Sequence, residues 1–329
     1  MNQFSYERAS DLRATAIALA RQPAARVIAG GTELLNWLKE GIDRPSHLID
    51  INDLPLASIL VEGDRIRIGA LAKLSDVASH PAIRDVVPAV AEALAASASP
   101  QLRNMASIGG NLLQRTRCPY FRADAELPCN KRRPGTGCAA IEGENRTHAV
   151  FGWSPACVAT HPSDLAVVLA AFDATLLIAG PSADRRIPLR DFYLSPGDTP
   201  HIETALAPGE IMTAVELQRA PSMRCSRYIK VRERASYEFA LVSAAAAVEA
   251  DGPTMVSVRL ALGGVAHKPW RLERAERALE GRPLNPDVLR AALDIEFRDA
   301  RPLAENAFKV VLAARAIRRA LEAAWDMGR

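Results

Sequence analysis

"RVIAGGTELLNWLKEGIDRPSHLIDI" occupies Arg26 to Ile51. It opens on a short β-type run, turns at two glycines, and continues with apolar residues at helical spacing up to a glycine stop at Gly41. It closes on a second β-type run, "SHLIDI". Strand, glycine turn, helix and strand within about 30 residues make a βαβ unit, which belongs to α/β or α+β architecture. Upstream, residues 8–21 carry apolar and alanine positions at helical spacing and stop before Pro23, which predicts a further helix.

After Pro55 the texture changes. "RIRIGALAKLSDVAS" predicts an alternating strand that turns into a helix, and "PAIRDVVPAVAEALAASAS" a single alanine-rich helix ending at Pro100. "SDLAVVLAAFDATLLIAG" predicts a helix and then a strand, and "GEIMTAVEL" another strand. From about residue 222 the pattern restarts with strands around a turn at Asp251-Gly252, followed by helical segments at 270–280, 286–294 and 303–325. The expected organisation is a unit at 1–54, a second at 55–221 and a third at 222–329, the last boundary falling on the loop "QRAPSM".

A chain of 329 residues with 49% hydrophobic content has material for two or three cores. The N-terminal segment lacks a basic stretch followed by an apolar one, so it predicts no secretory signal, and no run approaches the about 18 apolar residues of a membrane span. Lys plus Arg (41) nearly balance Asp plus Glu (38) and aromatics are 5%, a composition that argues against a nucleic-acid partner. Five cysteines is an odd number, and a chain folded inside the cell keeps them as thiols unless a metal takes them.

Two glycine loops carry candidate chemistry. "VIAGGTELL" puts Gly30, Gly31 and Thr32 between strand and helix, where amides without a Cβ in the way converge on an anion and the helix start adds partial positive charge. It is neither the G-x-G-x-x-G fingerprint nor a P-loop, and a tight turn without a ligand is an equal reading. "QLRNMASIGGNLL" repeats the device at Ser107, Gly109, Gly110 and Asn111, so the pair suits the two halves of a pyrophosphate-linked cofactor.

The order and spacing of "AGGTELL", "RNMASIGGNL", "HPSDLAVVLAAFDATL", "GEIMTAVEL" and "YIKVRERASYEFALVSAAAAV" resemble the FAD-binding subunit of the molybdenum hydroxylases, the xanthine dehydrogenase and carbon monoxide dehydrogenase family. "LALGGVAHKPWR" and "ALEGRPLNPDVLRAAL" resemble that family's small C-terminal domain. The resemblance implies an α+β fold: an FAD-binding domain of two α/β subdomains (PCMH-type), then a smaller α+β domain. It further implies FAD contacts from Arg26, Val27, Ile28, Ala29, Gly30, Gly31, Thr32, Glu33 and Leu34, and from Ser107, Ile108, Gly109, Gly110 and Asn111. Asp164 would meet ribityl or adenosine hydroxyls, and Met212 and Lys230 would line the rest of the flavin site. Asp164 reads equally as a helix cap and Lys230 as a solvated strand-edge lysine.

Between Asn111 and Asp164 lie 52 residues, where the resemblance implies a passage of only roughly ten from one motif to the next. The insertion, at 114–158, holds Cys118, Cys129, Cys138 and Cys157 at spacing C-x10-C-x8-C-x18-C. That spacing lacks the paired CxxC of zinc ribbons and the runs of bacterial ferredoxins, so by itself it says metal site, kind open. Between Arg115 and Val150 seven Lys/Arg face four Asp/Glu, a local excess that would offset the net negative charge of a four-thiolate zinc or iron–sulfur centre alike. The resemblance separates them: the insertion is similar to that of the bacterial periplasmic aldehyde oxidoreductases, which carry an extra [4Fe-4S] cluster in the flavin subunit. Two disulfides are a third reading, Cys225 reads as a core thiol, and His161 as a structural histidine rather than a general base.

The resemblance thus implies an electron-transfer subunit with no catalytic residue of its own. It would take electrons from a small partner subunit with two [2Fe-2S] clusters, in a heterotrimer with a molybdenum-cofactor subunit that oxidises an aldehyde to a carboxylic acid. Its FAD would pass them to an external acceptor such as a ferredoxin-like carrier or dioxygen. The expected route is cytoplasmic folding, then periplasmic location by export on a partner's signal. Alternative readings are the flavin subunit of an aryl-CoA (4-hydroxybenzoyl-CoA type) reductase, a self-contained FAD oxidoreductase, and a zinc-stabilised interaction subunit.

Overall fold

A computed structural model describes residues 2–328. The N-terminal stretch forms β1 (Ser5–Arg8), α1 (Leu12–Arg21), β2 (Ala25–Ile28), α2 (Leu34–Lys39) and β3 (His47–Asp50). The three strands pair in parallel in the order β1-β3-β2, the arrangement a βαβ crossover dictates. The helix expected over 8–21 is shorter: Asp11 accepts from the Ala14 amide at 2.7 Å and starts α1 at Leu12, which releases Ser5–Arg8 as an edge strand.

The middle of the chain forms β4 (Ile59–Glu62), β5 (Arg65–Gly69), α3 (Leu74–Ser79), α4 (Pro81–Val86), α5 (Pro88–Ala96), α6 (Pro100–Arg103), α7 (Ile108–Leu112), α8 (Pro119–Arg122) and α9 (Asp164–Ala171). It continues with β6 (Thr175–Ala179), β7 (Arg185–Pro188), α10 (Leu189–Phe192) and β8 (Ile211–Gln218). The sheet runs β4-β5-β8-β6-β7 with every pairing antiparallel, so this unit is of α+β type rather than a second βαβ device. The single alanine-rich helix expected after Pro81 is broken into α4 and α5. Pro88 has no N–H to donate and forces Val87 out of helical geometry, to φ −146° and ψ 67°.

The C-terminal part has β9 (Ser226–Val231), β10 (Val242–Asp251), β11 (Thr254–Gly263) and β12 (Trp270–Arg271), then α11 (Glu273–Leu279), α12 (Pro286–Phe297) and α13 (Phe308–Met327). Its antiparallel sheet, in the order β12-β11-β10-β9, lies between two helical layers: α5 and α9 contact one face and α13 the other. That explains the run "VSAAAAVEAD" in β10. Ala245 and Ala247 enter the core beneath α5 and α9, while Ala244, Ala246 and Val248 enter the core with Ile317 and Leu321 of α13. A strand buried on both faces has no polar alternation, and small side chains let both helical layers approach closely. The last helix starts at Phe308 rather than 303, because Asn306 turns inward to accept from the Leu303 amide and to donate to the His148 and Ala149 carbonyls.

Among the described residues no helix is long and apolar enough to cross a membrane. The two-faced packing of β10 yields a test. Ala247→Leu places three extra carbons between strand and helices and is expected to cost about 1–3 kcal/mol, read from the midpoint of chemical unfolding. Val256→Leu, at a half-exposed position of the neighbouring β11, should leave the midpoint near wild type.

Candidate cofactor site

The two glycine loops meet edge to edge. A Cβ on Gly30 would lie 1.9 Å from the Met105 carbonyl oxygen, so the first loop can reach the second only without a side chain there. Gly31, at φ +69°, then turns the chain into α2. The amides of Gly31, Thr32 and Glu33 donate to no protein acceptor among the described residues, which leaves a row of N–H groups at the head of the crevice. The second loop is more self-contained: Gly109 N donates to Ala70 O at 2.8 Å, and Gly110 N to Ser107 Oγ at 3.2 Å.

The crevice between them is a cavity of about 400 Å³. Arg26 through Leu34 line it continuously, with Ser107, Gly109, Gly110 and Met212. A neighbouring cavity of about 230 Å³ is lined by Thr32, Gly110, Asn111, Asp164 and Lys230. Of the expected flavin contacts, Ile108 alone lines neither: its side chain is fully buried in the main core and its amide donates to Ala72 O at 3.0 Å. Sequence reading missed Trp37, Tyr193, Glu203 and His267 on the first wall, and Tyr237 and Phe239 on the second. The second pair stands in "ERASYEF", whose periodicity gives no sign that it loops back over a cavity.

Asp164 is not the helix cap. Ser163 occupies that position, its Oγ accepting from the Ala166 amide at 3.1 Å and donating to Asn111 Oδ1 at 2.7 Å. Asp164 sits one residue inside and is 5% exposed. Its carboxylate accepts from Ser97 Oγ at 2.9 Å, Tyr228 OH at 2.5 Å and Lys230 Nζ at 2.8 Å. Lys230 is therefore no solvated strand-edge lysine but half of a buried ion pair, its side chain 4% exposed.

Glu33 also has a use beyond the cavity wall. Its carboxylate meets Arg117 and Arg122, each at 2.6 Å, and accepts from Trp37 Nε1 at 2.8 Å. Those arginines belong to the cysteine insertion. Arg115 and Lys131 converge likewise on Glu203, at 2.6 and 3.2 Å. Although burial works against it, Lys131 and Arg115 hold the Glu203 carboxyl below the ordinary range. The positive excess of the insertion is thus largely consumed by carboxylates: of its seven cations, Arg115, Arg117, Arg122, Lys131, Arg133 and Arg146 are ion-paired.

The four insertion cysteines are free thiols gathered in one place. Cys129 and Cys138 face each other in an antiparallel bridge, the Cys138 and Cys157 thiols are hydrogen-bonded, and Cys118 lies within electrostatic reach of Cys129 and Cys138. Backbone amides point at the sulfurs: Tyr120 and Phe121 at Cys118; Val158, Ala140 and Ile141 at Cys138; Ala159 at Cys157. With the Cys157 thiol donating to it, the Cys138 thiol is pulled below its ordinary value. Burial pushes Cys118 up to about 11. Amide-lined, partly buried sulfurs fit an anionic thiolate centre, whose charge those dipoles offset. Among the described residues no three His, Cys, Asp or Glu side chains close tightly enough to hold one metal ion. Cys225 stands apart, packed against the C-terminal core.

A flavin-sized crevice walled by two glycine loops on this three-sheet frame defines an FAD-binding chain. The sequence matches the family described as "FAD binding domain in molybdopterin dehydrogenase" over residues 2–219 and "CO dehydrogenase flavoprotein C-terminal domain" over 227–324. The chain belongs to this family and is an FAD-binding subunit of a molybdenum hydroxylase, and so part of an oxidoreductase. It is 50% identical over 319 residues, 96% of each chain, to the aldehyde oxidoreductase FAD-binding subunit PaoB of Escherichia coli K12. It is 28% identical to the glyceraldehyde dehydrogenase medium chain of Sulfolobus acidocaldarius, over 88% of this chain and 85% of that one. A carbon monoxide dehydrogenase structure from Hydrogenophaga pseudoflava superposes with TM-score 0.76 at 26% identity, covering 99% of this chain and 98% of the other.

His161 and His267 stand on the first cavity wall with buried ring nitrogens that meet no partner. Burial lowers them to about 4 and about 3, with the Lys131 ammonium adding to the effect and the Glu203 carboxylate opposing it. Both are neutral in the folded chain, while the unfolded chain protonates them near pH 6.5. Unfolding therefore takes up protons below that pH, so their contribution to stability is intact above about 6.5 and is lost as pH falls toward 4. The expected slope for two groups is at most about 3 kcal/mol per pH unit. Calorimetry between pH 7 and 4.5 should show the slope, and His267→Gln should flatten it.

Proposed function

We propose that this chain is the FAD- and [4Fe-4S]-carrying electron-transfer subunit of a molybdenum-dependent aldehyde oxidoreductase, the enzyme that converts an aldehyde and water to a carboxylic acid. One observation carries the reading: the amide-lined group of Cys118, Cys129, Cys138 and Cys157 is bound through Glu33 and Glu203 to the wall of the flavin crevice. The relative at 50% identity, an aldehyde oxidoreductase subunit, favours aldehyde chemistry over the aryl-CoA reductase alternative.

When bound, FAD accepts electrons singly or in pairs and so joins one-electron iron–sulfur carriers to an external acceptor. The residues of this chain hold and orient it. Gly30 through Leu34 present amides to the pyrophosphate, with Arg26 through Ala29 forming the strand behind them, and Ser107, Gly109, Gly110 and Asn111 meet the pyrophosphate and ribityl from the second loop. Asp164 and Lys230 fix the wall nearest the ribityl chain, and Met212 covers an apolar face. No acid–base residue is needed, and neutral His161 serves as wall. Tetrahedral zinc holds thiolates at about 2.3 Å from one ion, whereas a four-iron cluster takes each sulfur at a separate iron.

The partners in this reading are a molybdenum-cofactor large subunit and a small subunit with two [2Fe-2S] clusters. The acceptor is a ferredoxin-like carrier or dioxygen, and the destination is the periplasm, reached on a partner's signal. Metal and flavin analysis of the complex from its native host tests this. Iron is expected in excess of the small subunit's four atoms by about four per complex. Cys→Ser at any of the four positions should remove that excess while flavin stays bound; zinc in its place would overturn the cluster. Turnover of aromatic aldehydes but not aryl-CoA esters is expected, and the reverse would select the reductase alternative.

Gly30→Ala tests the flavin crevice separately. The new methyl must displace the Met105 carbonyl, so purified complex should lose most of its flavin absorbance while keeping its iron. Full flavin occupancy in that variant would remove the crevice from the assignment.

A further inference from the structure

His148 lies on the returning limb of the insertion with 2% of its surface exposed, and its Nε2 is 3.1 Å from Cys118 Sγ. The other ring nitrogen, Nδ1, is buried and meets no partner. A proton on Nδ1 would be a buried donor with no acceptor, whereas a proton on Nε2 has the sulfur in front of it. The hydrogen-bonding environment therefore selects the tautomer that donates to Cys118.

The ring is held in place by the C-terminal part of the chain. Lys309, fully buried on α13, donates through Nζ to the His148 carbonyl at 2.8 Å and to those of Thr147 and Gly264 at 3.1 and 2.5 Å. Asn306 donates to the same His148 carbonyl, and the His148 amide donates to Asn145 O. Cys118 lines a cavity of about 190 Å³ together with His148 and Asp164, so its sulfur lies on the same pocket as the carboxylate of the flavin wall.

We propose that His148 is a positioning residue that tunes the redox centre of the insertion: its Nε2–H donates to the Cys118 thiolate and raises the reduction potential of that centre. The inference rests on the iron–sulfur reading above. Reduction adds an electron's charge to the cluster and its thiolates, so a fixed donor in a dry site stabilises the reduced state more than the oxidised one. The amides at Cys138 and Cys157 belong to the backbone and cannot be altered by substitution; His148 can.

The test is a redox titration of the purified multi-subunit complex, followed through the low-temperature EPR signal of the four-iron centre, with iron and flavin content measured on each sample. His148→Leu is expected to shift the midpoint to more negative potential at full iron content, and His148→Gln, which keeps an N–H donor, to restore part of the shift. An unchanged midpoint in His148→Leu with iron intact would overturn the proposal. Should His148→Leu not assemble, pulsed EPR of wild-type complex carrying 15N-histidine decides. A weak nitrogen coupling to the reduced cluster, lost in His148→Gln, is expected, and its absence in wild type refutes the hydrogen bond. Wild-type complex without the extra iron would instead defeat the cluster reading on which the inference stands.

Discussion

The buried carboxylate of Asp164 joins the parts of this molecule that build the cofactor site. It receives Ser97 from the end of α5, and Tyr228 and Lys230 from β9 of the C-terminal sheet. A buried ion pair offsets its desolvation only when the remaining lone pairs are also used, and here each carboxylate oxygen has at least one donor. Burial and the neighbouring charge push the Tyr228 phenol well above its ordinary value, which keeps it a donor. Without this carboxylate the C-terminal sheet would lose one of its polar anchors to α9, the other being Arg271 on the Ala170 carbonyl.

The insertion is attached by the same kind of chemistry. Glu33 and Glu203, both on the cavity wall, receive four of its cations, while Lys309 and Asn306 hold its returning limb from the opposite side through carbonyl oxygens. Its middle has few regular elements, and backbone order in such a segment must be maintained by side chains. Charge that looks available to a metal centre in sequence is mostly committed to this anchoring. What the sulfurs meet directly is a set of backbone amides and one imidazole, with Lys131, already paired to Glu203, acting on Cys157.

The elements with a strong local cause were readable in advance. Glycine turns and the βαβ period each follow from a pattern of few residues. The stretch from Arg26 to Leu34 was implied by the family resemblance, and in the structure those residues line one crevice. Where reading failed, the cause was either a proline or a nonlocal contact. Pro88 breaks a helix at Val87, Ile108 turns into the core instead of the crevice, and Lys230 is buried because β9 lies against α5, beside Asp164. Tyr237 and Phe239 reach a cavity wall from a loop whose return path no period encodes.

By itself the sequence singled out candidates: two glycine loops and four clustered cysteines by residue type and spacing, and, through the family resemblance, an aspartate at a helix start. Residue type and spacing can do that much, since amides free of Cβ, thiols and carboxylates have intrinsic affinities. The tertiary structure alone decided who partners whom. Glu33 serves arginines some 85 residues away, Asp164 a lysine 66 residues away, and His148 a cysteine 30 residues away. Hydrogen bonds and ion pairs depend on distance and desolvation, and both are set only once the helices, sheets and insertion have packed.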